Sequence, residues 1–498
     1  MKPVPQFRWT DCLWFLFIVV LAGGARGWYF YECLDNGKGA APFVVQEPSP
    51  GARVSPGTKL NGNEQPTEMD HLIRNLDHQN GFTSTPPLYD LDEEVETAHI
   101  SPGYPWMIYL VSPLVYDSDG GEDFAMVLFI VRLAQCIIGA LTAGLYFAFA
   151  RSAFRSLSVA LVAGTFCAVN PFGIINCGEL SDGVLSSFLL AMCLLSGTHA
   201  GKTGGPVASL IFGLSLAGSA LVRAAMLPFA FVGLLWFVGR CRNLQRGWLC
   251  ALLAVLGFAN GMAPWMVRNY QVFGDVVPVV NSAYVHLWMG NNPKATGVVD
   301  NQLKIVDVDP TKSNSISIED TLTNKRLAKL KTKTIENDSG EKVTSPTKQT
   351  ERYALLAEDT WDYVRTHPTE TVQTRARNTV FFFLGREMFN GSPFQRGQDS
   401  SHTPELLVKN YDMIMSSVLL AMFLLGILGW RWSYASSRNA GGLAAVAVVF
   451  VSLPYILGHV TPLWGPRLPL DGILLSYCAV GVMSVLTNFR SPSSTRTM

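Results

Sequence analysis

The sequence predicts an all-α polytopic membrane protein of about ten transmembrane helices, and three observations carry the prediction. Of 498 residues, 49% are apolar and only 15% charged, against about 25% charged in an ordinary soluble domain. Apolar runs recur at close to the ~20 residues that cross a bilayer. Two polar blocks, near residues 31–102 and 268–411, interrupt those runs. Formal net charge is zero, so bulk electrostatics gives no pull toward nucleic acid, and no nucleic-acid partner is expected.

The expected helices lie at 11–31, 124–149, 157–174, 183–198, 206–221, 224–239, 247–266, 412–430, 441–457 and 468–487. The first follows Lys2 and Arg8, has aromatic flanks and lacks a clean small-residue cleavage site, so it reads as a retained helix. Arg151, Arg155, Lys202, Arg240, Arg242, Arg246, Arg431, Arg438 and Arg490 all fall in loops that alternation puts on one side. The positive-inside rule makes that side cytoplasmic, with both termini. Both polar blocks then lie outside. The expected organisation is an N-terminal membrane region, 1–267, containing an outer loop, 31–117. An extracytoplasmic region, 268–411, of small mixed structure follows, then a C-terminal membrane region, 412–498.

Segment 103–117 is short and broken by proline, so it reads as a helix lying on the outer surface, with Tyr104 and Trp106 at headgroup depth. "NEQPTEMDHLIRNL" reads as a short amphipathic helix with Pro66 in its first turn. Residues 275–300 carry strand and turn signals. Residues 311–348 are polar and poor in aromatics, the composition of a mobile segment. Residues 349–383 read as two amphipathic helices broken at Pro368. Seven of the nine cysteines lie in or beside apolar runs, as small hydrophobes. Cys33 and Cys177 fall outside the bilayer and are the pair that topology allows to bridge.

Certain phrases recur in order: "TAHISPGYP", "INCGELSDG", "PWMVRNYQVFG" followed by "LWMGNNPKATG", and "GPRLPLD" opening the last helix. Their succession, over about residues 10–487, resembles the GT-C superfamily of membrane glycosyltransferases. The branch is the bacterial, glycosyltransferase family 39-like one of protein mannosyltransferases and lipid A aminoarabinose transferase. The resemblance implies a polyprenyl-phosphate-linked sugar as donor and a protein, lipid or glycan acceptor outside the cytoplasm. It implies inverting transfer with a carboxylate base, no metal or other cofactor, and a location in the bacterial inner membrane.

By the same resemblance the base is Glu68, Asp70 or Glu64, Glu68 matching best; carboxylates at a helix start equally serve its dipole. Arg223 and Arg467 are expected at the donor phosphate, since arginine suits a phosphate at the membrane rim. Arg268 either joins them or anchors its helix. Asp182 and Glu179 are expected beside the cavity or as solvated loop charges. His99 either touches a substrate or caps the turn after Thr97, and Arg132 pairs with a carboxylate inside its span. Asn291 and Asn292 read as turn formers. Two other classes share the architecture: a flippase for lipid-linked glycans, which would show related halves, and a non-catalytic protein that keeps the fold.

Overall fold

The computed structural model describes residues 9–34, 36, 43–45, 76, 81–84, 95–111, 124–242, 244–293, 295, 305–306, 315–316, 332–336, 342–346, 349–384, 394–396, 405–433, 438–460 and 466–490. The chain opens with α1 (Trp9–Trp28), which continues as one π-helical turn, Tyr29–Cys33. Short strands β1 (Phe43–Val45), β2 (Thr83–Ser84) and β3 (Val95–Glu96) follow, then α2 (Gly103–Val111). The membrane bundle continues with α3 (Phe124–Phe154), α4 (Leu157–Ala168), α5 (Pro171–Ile175), α6 (Gly183–Thr203), α7 (Pro206–Val222), α8 (Leu227–Cys241) and α9 (Gly247–Phe273).

The second polar block holds α10 (Ala283–Met289), β4 (Ile305–Val306), β5 (Ser315–Ile316), β6 (Thr332–Glu336), β7 (Lys342–Pro346), α11 (Gln349–Thr366), α12 (Pro368–Leu384) and β8 (Phe394–Arg396). The bundle is completed by α13 (Glu405–Ser433), α14 (Arg438–Leu457) and α15 (Leu468–Arg490).

Among the described residues, seven helices are long and apolar enough to cross a membrane, and the chain is a polytopic helical membrane protein. Leu157–Ala168, Pro206–Val222 and Ser417–Ser433 are apolar but shorter, so length and composition support seven of the about ten expected spans. Helix α3 runs five residues past its expected end, and α9 continues through Pro264 to Phe273. At 1.5 Å per residue, α2 is about 14 Å long and too short to cross a bilayer.

Two expectations are corrected, for residues 283–289 and for the cysteine pair. Residues 283–289 form a helix where strand and turn signals dominate, because the Trp288 and Met289 side chains are buried and the tertiary contact outweighs propensity. The polar stretch 311–348 contains the antiparallel hairpin β6–β7, in register Ile335 with Val343. All nine cysteines are free, so no bridge joins Cys33 to Cys177. The break at Pro368 stands as expected, since proline fits the first turn of α12.

Close backbone approach sets the seam between α7 and α9. A Cβ on Gly213 of α7 would overlap the Ala254 carbonyl of α9, and one on Gly257 would lie 2.8 Å from the Leu210 carbonyl oxygen. Small residues let helices meet where apolar lipid supplies no hydrophobic drive. Gly213→Leu is expected to part α7 from α9 at a cost of about 1–3 kcal/mol, read as a lower Tm of the detergent-solubilised protein.

Candidate functional site

The C-terminal ends of α1, α7 and α9 and the N-terminal ends of α3, α6 and α15 meet at one end of the bundle. Arg223, the residue after α7, is buried there and grips Asp182 with two bonds, Nε to Oδ2 at 2.8 Å and Nη2 to Oδ1 at 2.5 Å. Its Nη1 reaches the Pro466 carbonyl at 3.3 Å, and the Tyr455 hydroxyl also bonds it. Next along the chain, Arg467 bonds both oxygens of Asp471 at 2.8 and 3.3 Å, one helical turn away. Its guanidinium lies 4.9 Å from the Phe172 ring centroid, and Asn170 donates to the same carboxylate at 3.3 Å. Arg223, Asp182 and Arg467 are thus brought together, each arginine already holding a carboxylate.

The α5–α6 loop is strapped to α3. Buried Arg132 donates through Nε to the Gly178 carbonyl at 2.8 Å, and Glu179 stands in its field. Gln135 Nε2 holds the Cys177 and Glu179 carbonyls at 3.0 and 2.8 Å. Its Oε1 accepts from the Tyr104 hydroxyl at 3.0 Å. Tyr104 is therefore a buried clamp of α2, whereas Trp106 is 41% exposed. Gly103 opens α2 because a Cβ there would lie 2.6 Å from Val222 Cγ2. That contact sets α2 beside Arg223, and Ser101 Oγ accepts from Ala224 N at 2.9 Å.

Arg268 holds the loop around β2 and β3. Its Nη1 donates to the Thr97 carbonyl at 2.8 Å and its Nη2 to the Phe82 carbonyl at 3.1 Å, while its guanidinium lies 5.0 Å from the Trp265 ring. His99 N–H donates to Thr97 Oγ1 at 2.9 Å, which is the expected turn, and its ring bonds the Tyr353 hydroxyl at 2.9 Å. A second ring, His286, stands 6.3 Å away and shares a 2.8 Å bond with His459. Asn291 does more than turn the chain, since its amide reaches the Leu457 carbonyl at 3.1 Å and ties α10 to the end of α14.

Glu64, Glu68 and Asp70 lie outside the described residues. The chain they belong to enters the described structure at Leu76, which is buried with Phe82 and Trp265 against Leu221. Leu221 is two residues from Arg223. Gln135, Tyr353, Gln349 and Asp471 were not singled out from the sequence. Asp471 alone had a local signal, its four-residue spacing from Arg467. Among the described residues, no group of three His, Cys, Asp or Glu could hold a metal ion.

No protein-family model matches the chain. No curated protein matches it either. Among solved structures it is similar to an oligosaccharyltransferase of Archaeoglobus fulgidus in complex with Zn and sulfate, at 12% identity and TM-score 0.47, over 95% of this chain and 49% of that one. It is also similar to the oligosaccharyltransferase AglB of the same organism with an inhibitory peptide and a dolichol-phosphate, at 12% identity and TM-score 0.47, over 98% of this chain and 53% of that one. A third is ArnT from Cupriavidus metallidurans bound to undecaprenyl phosphate, at 11% identity and TM-score 0.38, over 97% and 80%. The chain spans about half the length of the two archaeal chains.

Two expectations follow from this geometry. Asp182→Asn leaves Arg223 without its charge partner, and removing one partner of a buried pair costs about 3–5 kcal/mol. Asp182 is 27% exposed at its side chain, so solvent screening reduces the loss to about 2 kcal/mol. The Asp182→Leu, Arg223→Met double variant is expected to lose less than the sum of the singles in a thermal double-mutant cycle.

The second concerns pH. Burial lowers the pKa of His99 to about 3 and of His286 to about 4, and His459 falls well below its ordinary value, with the neighbouring His286 adding to burial at His99 and His459. The rings are neutral in the fold and take up protons on unfolding near pH 6.5. Their contribution to stability is present above that value and is lost as pH falls toward 4. The Tm should therefore drop from pH 7 to 5, and less steeply in His286→Gln.

Proposed function

We propose that the chain is a membrane glycosyltransferase of the GT-C kind, which transfers a sugar with inversion from polyprenyl phosphate to an acceptor outside the cytoplasm. The position of Leu76 carries this reading. The segment with Glu64, Glu68 and Asp70 ends at a residue packed on Leu221, beside the arginines that suit a lipid phosphate. Eight residues separate Glu68 from Leu76, a reach of at most about 28 Å, and that sequence proximity to the packed Leu76 supports the reading. In this reading Glu68 takes the proton of the acceptor hydroxyl as the anomeric carbon develops positive charge. The bond from that carbon to the phosphate oxygen breaks, and polyprenyl phosphate leaves with the pair of electrons.

Arg223 and Arg467 serve the leaving phosphate in this scheme. Asp182 is the more exposed partner of Arg223, and the arriving anion shares the guanidinium with it. Asp471 is 1% exposed and fixes Arg467. Arg268, His99 and Glu179 position the loops that line the cavity. The isoprenoid tail stays in lipid, beside the bundle. The positive loops favour an orientation with this end outside and both termini in the cytoplasm, in the inner membrane of a bacterium.

Purified protein supplied with polyprenyl-phosphate sugars and a crude envelope extract is expected to release polyprenyl phosphate. Glu68→Gln should lower that rate by about 10²–10⁴-fold, with Glu64→Gln and Asp70→Asn close to the unaltered protein. Equal activity in Glu68→Gln would move the base to Asp70 or Glu64. Movement of intact donor across vesicles without release would replace transfer by transport.

A further inference from the structure

Two thiols meet at the loop strap and take no part in the scheme above. Cys177 ends the turn after α5 and is fully buried, and Cys136, on α3, is 7% exposed. They share one small cluster with Phe30 and Val184. The Cys136 thiol donates to the Arg26 carbonyl at 3.9 Å. Cys177 Sγ also lies 3.2 Å from the Gly173 carbonyl oxygen and 3.6 Å from that of Gln135, so it rests on the turn of α3 that carries Cys136.

A cation stands beside them. Arg26 is buried at the end of α1; its Nη1 donates to the Ala22 and Ala168 carbonyls at 3.1 and 3.0 Å. Its Nε has no hydrogen-bond partner among the described residues. A Cβ on Gly139 would sit 2.6 Å from that Nε and 3.1 Å from Cys177 Sγ, so the missing side chain leaves both atoms over one point of α3. The neighbouring Cys136 thiol holds the Cys177 thiol below its usual pKa against the opposing effect of burial, and Arg26 adds to it. A cavity of about 40 Å³ is lined by Arg26, Gly139 and Gly173 and so reaches this cluster. One water needs roughly 10–15 Å³, so the space admits a molecule the size of peroxide.

We propose that Cys136 and Cys177 are a redox-convertible pair, Cys177 the attacking thiol, which closes to a disulfide that bolts the α5–α6 loop to α3. Buried structural cysteines are inert, whereas reactive ones have a neighbouring cation and space for the reagent; Cys177 has Arg26 beside it, and its neighbours Gly139 and Gly173 line the cavity. With hydrogen peroxide as oxidant, the Cys177 sulfur, its proton lost, attacks one peroxide oxygen and the O–O bond breaks. This gives a sulfenic acid, and hydroxide leaves and takes up the lost proton as water. The Cys136 sulfur then attacks the Cys177 sulfur, the S–O bond breaks, and the hydroxyl leaves as water with the Cys136 proton. Two thiols are oxidised and one peroxide is reduced to two waters. The backbone on both sides is already held by Arg132 and Gln135, so closure calls for side-chain movement within a fixed frame. The inference stands independently of the glycosyltransferase reading.

The test uses the full chain in detergent, treated with stoichiometric hydrogen peroxide, then denatured, alkylated and mapped by mass spectrometry. Two of the nine thiols are expected to be lost and regained on reduction, with linked peptides containing Cys136 and Cys177. In Cys136→Ser, dimedone present during oxidation should label Cys177. Nine titratable thiols after peroxide, or linked peptides that join Cys177 to Cys33, overturn the proposal. Mapping of the unaltered chain decides the outcome even where the serine variant does not fold.

Discussion

Arg223 and its carboxylate partner hold the working end of this bundle together. A lone guanidinium among apolar helices is costly, and the cost is met by contacts from three directions. Asp182 comes from the start of α6, the Pro466 carbonyl from the lead-in to α15, and Tyr455 from α14. Each contact fixes one element against the end of α7. The neighbouring Arg467–Asp471 pair repeats the arrangement one step along the chain and adds Asn170, beside α5. Position at this end is therefore set by directional polar bonds, while the middle of the bundle is set by volume, as at Gly213 and Gly257.

Arginine has a second role in the same region. Irregular backbone near a membrane carries carbonyl groups that neither lipid nor a helix satisfies. Arg132 takes Gly178, Arg268 takes Thr97 and Phe82, and Arg26 takes Ala168. A planar guanidinium with five donors can serve several acceptors at fixed angles. This is why loops that depart from helical geometry are nevertheless placed well enough to line a site. The histidines supply a neutral counterpart: a pair such as His286 and His459 needs one ring to donate and the other to accept, an arrangement that two imidazolium rings would forbid.

The membrane helices were legible in the sequence because hydrophobic length is a local property. Their extensions were not: nothing local says that α9 passes through Pro264 and on to Phe273. The helix 283–289 was hidden too, its Trp288 and Met289 being buried by chain far away. Of the polar residues named in advance, Arg223 meets Asp182 and the carbonyl before Arg467, Arg268 and His99 hold the chain at Thr97, and Glu179 stands near Arg132. Their partners were invisible. The Tyr353 that meets His99 lies more than half the chain away, and sequence spacing carries no trace of such a contact. The acidic segment at Glu64–Asp70 keeps the standing that its motif order confers, beside a Leu76 whose packing is known.

Strand β1 pairs with β8, Phe43 opposite Arg396 and Val45 opposite Phe394. The first polar loop thus has one edge closed by a segment made only after α1 through α12. During synthesis at about 5–20 residues per second, that edge waits on the order of half a minute for its partner. The nascent chain passes through a period in which its helices are inserted and its first loop is still open on one side. Assembly of this face is a late event, and a truncated product that ends before residue 394 inserts most of the bundle yet never acquires the closed loop.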